Sequence, residues 1–366
     1  MAQIGMFEDN FMQEKSTDWK WTMANDYPQK NGLTAFSCFA CGGGSTMGYK
    51  LAGVDVLGCC EIDPKMNKTY VENHHPKHNY CMDIREFNNI PNEELPKELF
   101  DLDVLDGSPP CTTFSMAGER EESWGKKKKF REGQAEQTLD DLSFVFIETV
   151  AKLKPKVMIM ENVEGLIKGE AWSYVQKIYK NLSQIGYKTR HWLLKGEYMG
   201  VPQKRHRVFF IALREDIEFD LYNLDMNFNY APILFGSVRG DIGNSMKLES
   251  QQYKMLCLAQ EGDKCIADVL KREKGKTSCF TDMIVWDNDI CCTITGKANI
   301  MSPITKSKIS NLDILHCQTF PEDYNFLNLP CGYICGMSVP PIMIKRIMQR
   351  LIENGLFDYK LKPKKE

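Results

Sequence analysis

Leu33-Thr34-Ala35-Phe36-Ser37-Cys38-Phe39-Ala40-Cys41-Gly42-Gly43-Gly44 decides the fold: a run of apolar and small residues suited to a buried strand, closed by three consecutive glycines. Ser45 to Ala52 reads as a short helix stopped by Gly53, and Val54 to Cys60 as a second strand ending in Glu61-Ile62-Asp63-Pro64. A helix from Lys65 to about Asn73 follows, then a brief strand that ends at Asp83-Ile84. Repeated strand-helix units of this kind predict an α/β fold with a doubly wound, mostly parallel sheet.

In such a sheet ligands gather at the carboxyl ends of the strands, and the chain sets a distinctive residue at each end in turn. Gly42, Gly43 and Gly44 are expected to let the backbone approach a ligand closely, and the helix N-terminus after them favours a negative group. Glu61 can accept hydrogen bonds from two ribose hydroxyls, and Asp83 can bind an adenine amino group. An acid about twenty residues beyond a glycine turn favours an adenosine-containing cofactor. Cys38-x-x-Cys41 looks like half a metal site, but no second pair exists, so no metal is expected.

Further along, Asp101 to Leu105 reads as a buried strand that runs into Asp106-Gly107-Ser108-Pro109-Pro110-Cys111-Thr112-Thr113-Phe114-Ser115. The rigid Pro-Pro turn would fix Cys111 at the end of that strand, where a partly exposed thiolate can act as a nucleophile. The loop beyond Ser115 carries Lys126, Lys127, Lys128 and Lys129, which suit a lid whose lysines meet phosphates. Thr138 to Leu153 shows helical spacing of Leu139, Leu142, Phe146, Val150 and Leu153, ended by Pro155. Val157 to Met160 is then a buried strand that delivers Glu161-Asn162-Val163 to the same rim as Cys111.

A helix from about Ala171 to Ile185 leads to strands at Tyr187 to Leu194 and Val208 to Ala212. Arg205 and Arg207, two apart, are expected to face one cleft from the strand start, with His206 pointing away and assigned no chemistry. From Arg214 the alternation disappears, with short strands such as Ile290 to Thr295, and it resumes at Gln318-Thr319-Phe320-Pro321. The chain therefore divides into an N-terminal extension (1–31), a main domain (32–213), a smaller irregular insertion (214–310) and a C-terminal part that completes the main domain (311–366).

Composition narrows the class. The formal net charge of −3 disfavours whole-surface adhesion to nucleic acid and leaves a local basic cleft open. Fourteen cysteines spread over 366 residues, without an export signal, read as reduced thiols. No apolar run approaches the ~18 residues of a membrane span, so the expectation is a cytoplasmic protein with no membrane partner.

Taken in order, these motifs resemble those of the DNA (cytosine-5) methyltransferases of bacterial and phage restriction-modification systems. The resemblance rests on Phe39-x-x-x-Gly43-Gly44, Glu61, Asp83-Ile84, Pro110-Cys111-x-x-Phe114-Ser115, Glu161-Asn162-Val163, Gln203-x-Arg205-x-Arg207, Gln318-Thr319-Phe320-Pro321 and Gly336-x-Ser338-Val339-Pro340-Pro341. It implies a Rossmann-like S-adenosylmethionine-dependent methyltransferase domain with a target-recognition domain at 214–310. By resemblance Phe39, Glu61, Ile62, Asp83, Ile84, Pro110, Leu142 and Ser338 line the cofactor site together with the glycine turn.

The same resemblance implies that Cys111 adds to carbon 6 of cytosine, Glu161 protonates ring nitrogen 3, Arg207 binds the carbonyl at carbon 2, and Asn162 braces the Pro-Cys turn. Arg205 joins this group. The base is flipped from double-stranded DNA, the loop from Ser115 closes over it, and Thr293 and Thr295 contact phosphates. A monomer, associated with the nucleoid through DNA, is implied, with a companion restriction endonuclease acting on the same site but not in complex with it.

The chain departs from the family pattern at Cys41, usually Gly; at Ser37-Cys38, where an acid is common; at Met337, usually Asn; and at Leu312-Asp313, usually Arg-Glu. Two rivals share the fold. A tRNA-cytosine methyltransferase would carry Cys-Phe-Thr, present as Cys279-Phe280-Thr281 but without the tyrosines that usually follow. A catalytically silent DNA-binding regulator would have lost Cys111 or Glu161, and both are present.

Overall fold

In the computed structural model, residues 16–110, 142–240, 243–275, 282–297 and 299–358 are described. Cys111, Ser115, Lys126 to Lys129, the Thr138 start of the predicted helix, the Cys279-Phe280-Thr281 element and the lysine-rich tail lie outside them.

The first half alternates strand and helix: β1 (Thr34–Cys38), α1 (Gly44–Leu51), β2 (Asp55–Cys60), α2 (Pro64–His74), β3 (His78–Tyr80), α3 (Ile84–Asn89), β4 (Val104–Gly107), α4 (Leu142–Leu153), β5 (Val157–Val163), α5 (Trp172–Gln184), β6 (Tyr187–Lys195) and β7 (His206–Arg214). Among the described residues these strands form one seven-stranded sheet in the order β3-β2-β1-β4-β5-β7-β6. β1 to β5 run parallel, while β7 pairs antiparallel with both β5 and β6. The strand order reverses between β1 and β4, which is where a doubly wound sheet opens a crevice.

The inner strands β1, β2, β4, β5 and β7 are largely apolar on both faces because helices cover both. Ala35, Val56, Val104, Ile159, Phe209 and Ile211 point into one core, shared with α1 and with α10 (Pro341–Glu353). Their sequence neighbours Phe36, Leu57, Leu105, Met158, Met160, Val208 and Phe210 point into the other, shared with α3, α4 and α5. Strand parity therefore assigns every side chain of the sheet to one layer or the other. At its closest, α1 meets α10 through Gly48, whose missing Cβ would lie 2.4 Å from the Pro341 carbonyl oxygen and 2.5 Å from the Ile344 Cβ. No larger residue fits there.

Three expectations need correction. The third strand ends at Tyr80, and Asp83 instead caps α3, its Oδ1 accepting the Arg85 amide at 2.8 Å. Ile290 to Thr295 is not a strand: beyond an isolated bridge from Cys291 to Gln203 the segment is irregular. Arg205 precedes β7 and does not lie on the strand with Arg207.

The region after β7 begins against the main core, through Leu221, Leu224 and Met226. It then builds two short helices, α6 (Gln251–Leu256) and α7 (Ile266–Lys274), and a small sheet of β8 (Met283–Ile284), β9 (Ile300–Ser302) and β10 (Ser307–Lys308) in the order β10-β9-β8. Helices α8 (Asn311–Gln318) and α9 (Cys331–Met337) return the chain to the main domain. Asp313, where the family pattern has an acid, closes a capping box with Ser310 at the start of α8 and accepts the Gly240 amide at 2.7 Å.

The N-terminal segment is strapped across this return. Trp21 Nε1 donates to the Thr319 carbonyl at 2.9 Å, and Asp18 pairs with Lys345 and Arg346, each at 2.8 Å.

Candidate active site

The crevice is built by the ends of β1, β2, β4 and β5. After β1 the backbone turns through two left-handed non-glycine residues, Phe39 (φ 55°) and Cys41 (φ 48°), before Gly43 (φ 78°). Cys41, where the family pattern has glycine, thus occupies a conformation that costs a side chain about 1–2 kcal/mol. Its amide is compensated by Glu61: Oε2 accepts the Cys41 N–H at 2.8 Å and Oε1 accepts the Asp63 N–H at 2.9 Å. Glu61 therefore staples the glycine turn to the turn after β2.

The glycines are required by the chain's own packing. A Cβ on Gly42 would meet Ile334 at 2.3 Å, one on Gly43 the His74 ring at 2.0 Å, and one on Gly44 the Val339 carbonyl at 2.1 Å. The turn is packed against its own chain, with α1 starting directly behind it. His74 fills the space under Gly43, its Nε2 lying 3.3 Å from the Gly42 carbonyl oxygen. Burial, with the nearby Lys50 charge, pushes the His74 ring down to about 3, so it donates to that carbonyl as a neutral imidazole. Replacing Gly43 with alanine is expected to cost about 2–4 kcal/mol, through both its left-handed φ and the His74 contact, as read by urea unfolding.

These residues fit S-adenosylmethionine. The half-buried Phe39 ring, edge-on to Phe146 at 6.2 Å, offers an apolar wall, and Glu61 holds a buried carboxylate at the end of β2. Ile62 and Asp83 are half-buried beside them, Ile84 and Leu142 are buried, and Pro110 is exposed at the end of the described β4 segment. Asp83 is in part occupied by its own helix and by Arg85, 3.2 Å away. Ser338 is buried; its hydroxyl donates to the Ile334 carbonyl at 2.8 Å.

At the end of β5, Glu161 is 9% exposed and its Oε1 lies 2.7 Å from Arg207 Nε. Register explains the pair: Glu161 stands opposite Phe209 and Val163 opposite Arg207, so both side chains lie on the α1 face of neighbouring strands. Asn162 faces the other way, and its Nδ2 donates to the Pro109 carbonyl at 3.3 Å. The structure thus brings Glu161, Arg207, Asn162 and the Pro109-Pro110 turn together.

Arg205 senses the charges of both Arg207 and Glu161, but its terminal nitrogens are committed to backbone. It is 2% exposed and donates to the carbonyls of Ile294 (2.8 Å), Gly336 (3.1 Å) and Ser338 (2.8 Å). Gln203 runs beside it, donating to Gln318 Oε1 at 2.7 Å while its own Oε1 accepts the Ile294 amide at 2.8 Å. Together they tie the end of the inserted region and the C-terminal return to the start of β7.

Of the expected phosphate contacts, Thr293 is half-buried with its hydroxyl turned to the Lys204 carbonyl, and Thr295 is exposed. His206 has a role the sequence did not disclose. It bridges Glu197 (2.8 Å) and Glu164 (3.3 Å), whose carboxylates raise its pKa, and its carbonyl accepts from Arg207 at 2.7 Å.

Among the described residues no helix is long and apolar enough to cross a membrane. The family described as C-5 cytosine-specific DNA methylase matches residues 33–353. The type II methyltransferase M.DdeI of Desulfomicrobium norvegicum is 31% identical over 384 aligned residues, covering 87% of this chain and 88% of that one. M.Bsp6I, a type II methyltransferase of Bacillus sp. (strain RFL6), is 27% identical over 345 residues, covering 88% of this chain and 100% of that one. In fold the chain is similar to an Escherichia coli prophage protein described as a DNA modification methyltransferase, with a TM-score of 0.64 at 18% identity, covering 88% of this chain and 99% of that one. With Glu61, the Pro109-Pro110 turn, Glu161 and Asn162 gathered at the strand ends of a doubly wound sheet and the family matched from residue 33 to residue 353, the chain belongs to the C-5 cytosine-specific DNA methylases, enzymes that methylate DNA with S-adenosylmethionine as donor.

Proposed function

We propose that the protein methylates carbon 5 of a cytosine flipped out of a specific double-stranded DNA sequence, through a transient bond between Cys111 and carbon 6 of the base. The observation that carries this reading is the Glu161–Arg207 pair at 2.7 Å, set beside the Asn162–Pro109 brace. Carbon 5 of cytosine is a weak nucleophile. Thiolate addition at carbon 6 moves an electron pair towards carbon 5, provided the negative charge arriving on the ring is met. Glu161 supplies a proton at ring nitrogen 3, and Arg207, turned to the same face, donates to the carbonyl at carbon 2. The bound cofactor supplies an electrophilic methyl group on a sulfonium. Loss of the carbon 5 proton and departure of the cysteine sulfur then restore the aromatic ring. Asn162, acting through the Pro109 carbonyl, holds the turn on which Cys111 is mounted.

The region from 214 to 310 is proposed to read the target, and a single recognition region of this size suits one recognition sequence. The naming of both curated relatives as type II methyltransferases supports a restriction-modification role, with the protein acting as a monomer and a companion endonuclease cutting the same unmethylated site.

The test is transfer of labelled methyl from S-adenosylmethionine to mixed-sequence duplex DNA and, in parallel, to bulk tRNA, with wild type and Cys111→Ala. The expected result is 5-methylcytosine in DNA, lost by at least a thousandfold in the alanine variant. Label confined to tRNA would move the substrate to RNA. Transfer that survives the alanine substitution would remove the covalent step.

A further inference from the structure

Asp106 is a buried acid that the mechanism above does not use. It is 1% exposed and sits on β4 five residues before Cys111. The β1–β4 register sets it directly beside Ser37, the position at which the family commonly carries an acid and this chain does not. On its other side it stands beside Ile159, two residues before Glu161 on the same face of β5. Asp106 and Glu161 are therefore diagonal neighbours on the α1 face of the sheet.

Its hydrogen-bond donors come from both ends of the glycine turn. Ser37 Oγ, just before the turn, donates to Oδ2 at 2.8 Å. Tyr49 Oη, from α1 behind the turn, donates to Oδ1 at 3.1 Å, and the Ser45 hydroxyl at the start of α1 also bonds to the carboxyl. The other titratable groups that sense its charge are Cys38 on β1, Tyr70 on α2 and Glu161 on β5. None of these groups is a cation. Among the described residues, a carboxylate in such a place is held by hydroxyl dipoles, and it gains from any positive charge brought to the crevice.

The two forms of the cofactor differ by one charge. The methyl donor carries a sulfonium, and the product left after transfer carries a neutral thioether. We propose that Asp106 is a specificity-determining residue of the cofactor site, the counter-charge by which the protein holds the cationic methyl donor more tightly than its neutral product. The inference rests on the cofactor assignment made above. Burial raises the Asp106 pKa from its ordinary value to about 7, against the pull of the Ser37 and Tyr49 hydroxyls and with the help of Glu161. Near neutral pH a substantial fraction of the carboxyl is therefore protonated, and an incoming cation shifts it towards the ionised form with release of a proton.

Calorimetric titrations with S-adenosylmethionine and with S-adenosylhomocysteine, at pH 6 and pH 8 and in buffers of different ionisation enthalpy, test this. For wild type the affinity ratio favouring the methyl donor is expected to rise about fivefold between the two pH values, the effect of one partly screened charge. At pH 7 donor binding should release a fraction of a proton that product binding does not. In Asp106→Asn both effects should vanish. The ligands' own amino groups titrate alike against both proteins, so the difference between the proteins reports Asp106.

Should the asparagine variant not fold, Tyr49→Phe removes one donor to the carboxylate and should move the wild-type inflection to higher pH. The wild-type proton release also stands on its own. Tight binding of both ligands with no pH-dependent difference between wild type and Asp106→Asn, or no excess proton release with the donor, overturns the inference while leaving the cofactor in place. Failure of wild type to bind either ligand overturns the cofactor assignment and the inference with it.

Discussion

Replacing Glu161 with glutamine is expected to lower the rate of methyl transfer to DNA by two to four orders of magnitude, with affinity for S-adenosylmethionine changed by no more than about twofold. The separation follows from where the residue stands. Glu161 stands at the β5 side of the crevice beside Arg207, while the glycine turn and Glu61 stand at its β1 and β2 side. Glutamine keeps the shape and an oxygen that can still accept from Arg207 Nε, so the sheet edge should survive. It has no proton to give to a ring nitrogen. Single-turnover transfer with a saturating labelled donor isolates the chemical step, and a loss of less than tenfold would mean that the proton comes from elsewhere.

Arg205→Ala should instead act on stability. The side chain is buried, and its loss leaves the carbonyls of Ile294 and Gly336 without this donor, while the Ser338 carbonyl keeps Gln318 Nε2 at 2.8 Å. Each buried carbonyl left unpaired costs about 1–3 kcal/mol, so a total on the order of 4 kcal/mol is expected after partial relaxation. Arg205→Lys should recover little of it, because one ammonium cannot span three carbonyls on two segments. Urea unfolding reads the cost. Arg207→Ala is the contrasting case: it should leave the unfolding midpoint nearly in place and depress transfer. A reversed pattern for the two arginines would exchange their assigned roles.

That contrast marks where the sequence stops being legible. Alternation along a strand placed both arginines on one side, but the rule holds only where the backbone is pleated. β7 begins at His206, after the first of them. Asp83 suits a strand end by its place after a brief strand. Its short side chain, followed by Arg85 and Glu86, equally describes a helix cap, and capping prevails because α3 must satisfy its first amides.

The parallel half of the sheet was legible for a firmer reason. Burial on both faces leaves continuous apolar runs, and the residues that break them, Glu61, Asp106 and Glu161, mark the strand ends. Which of those acids face ligand and which face hydroxyls inside the protein depends on pairing between β1 and β4, and no single run of sequence contains that pairing. In the insertion, Ile266, Val269 and Leu270 are spaced for one helical face and could have revealed α7. The strands around it are two or three residues long and are defined by tertiary contact.

Gly48 lies in the first helix of the sheet domain and packs on Pro341 and Ile344 of the last, almost three hundred residues later in the chain. A protein made from its N-terminus onwards must therefore carry the apolar face of α1, and the glycine turn in front of it, uncovered until α10 has been synthesised and has docked. Messages broken or stalled before that point would yield no partial enzyme. Completion of the cofactor crevice thus waits on the docking of α10, and a chain released before it is exposed to proteolysis before it can act on DNA.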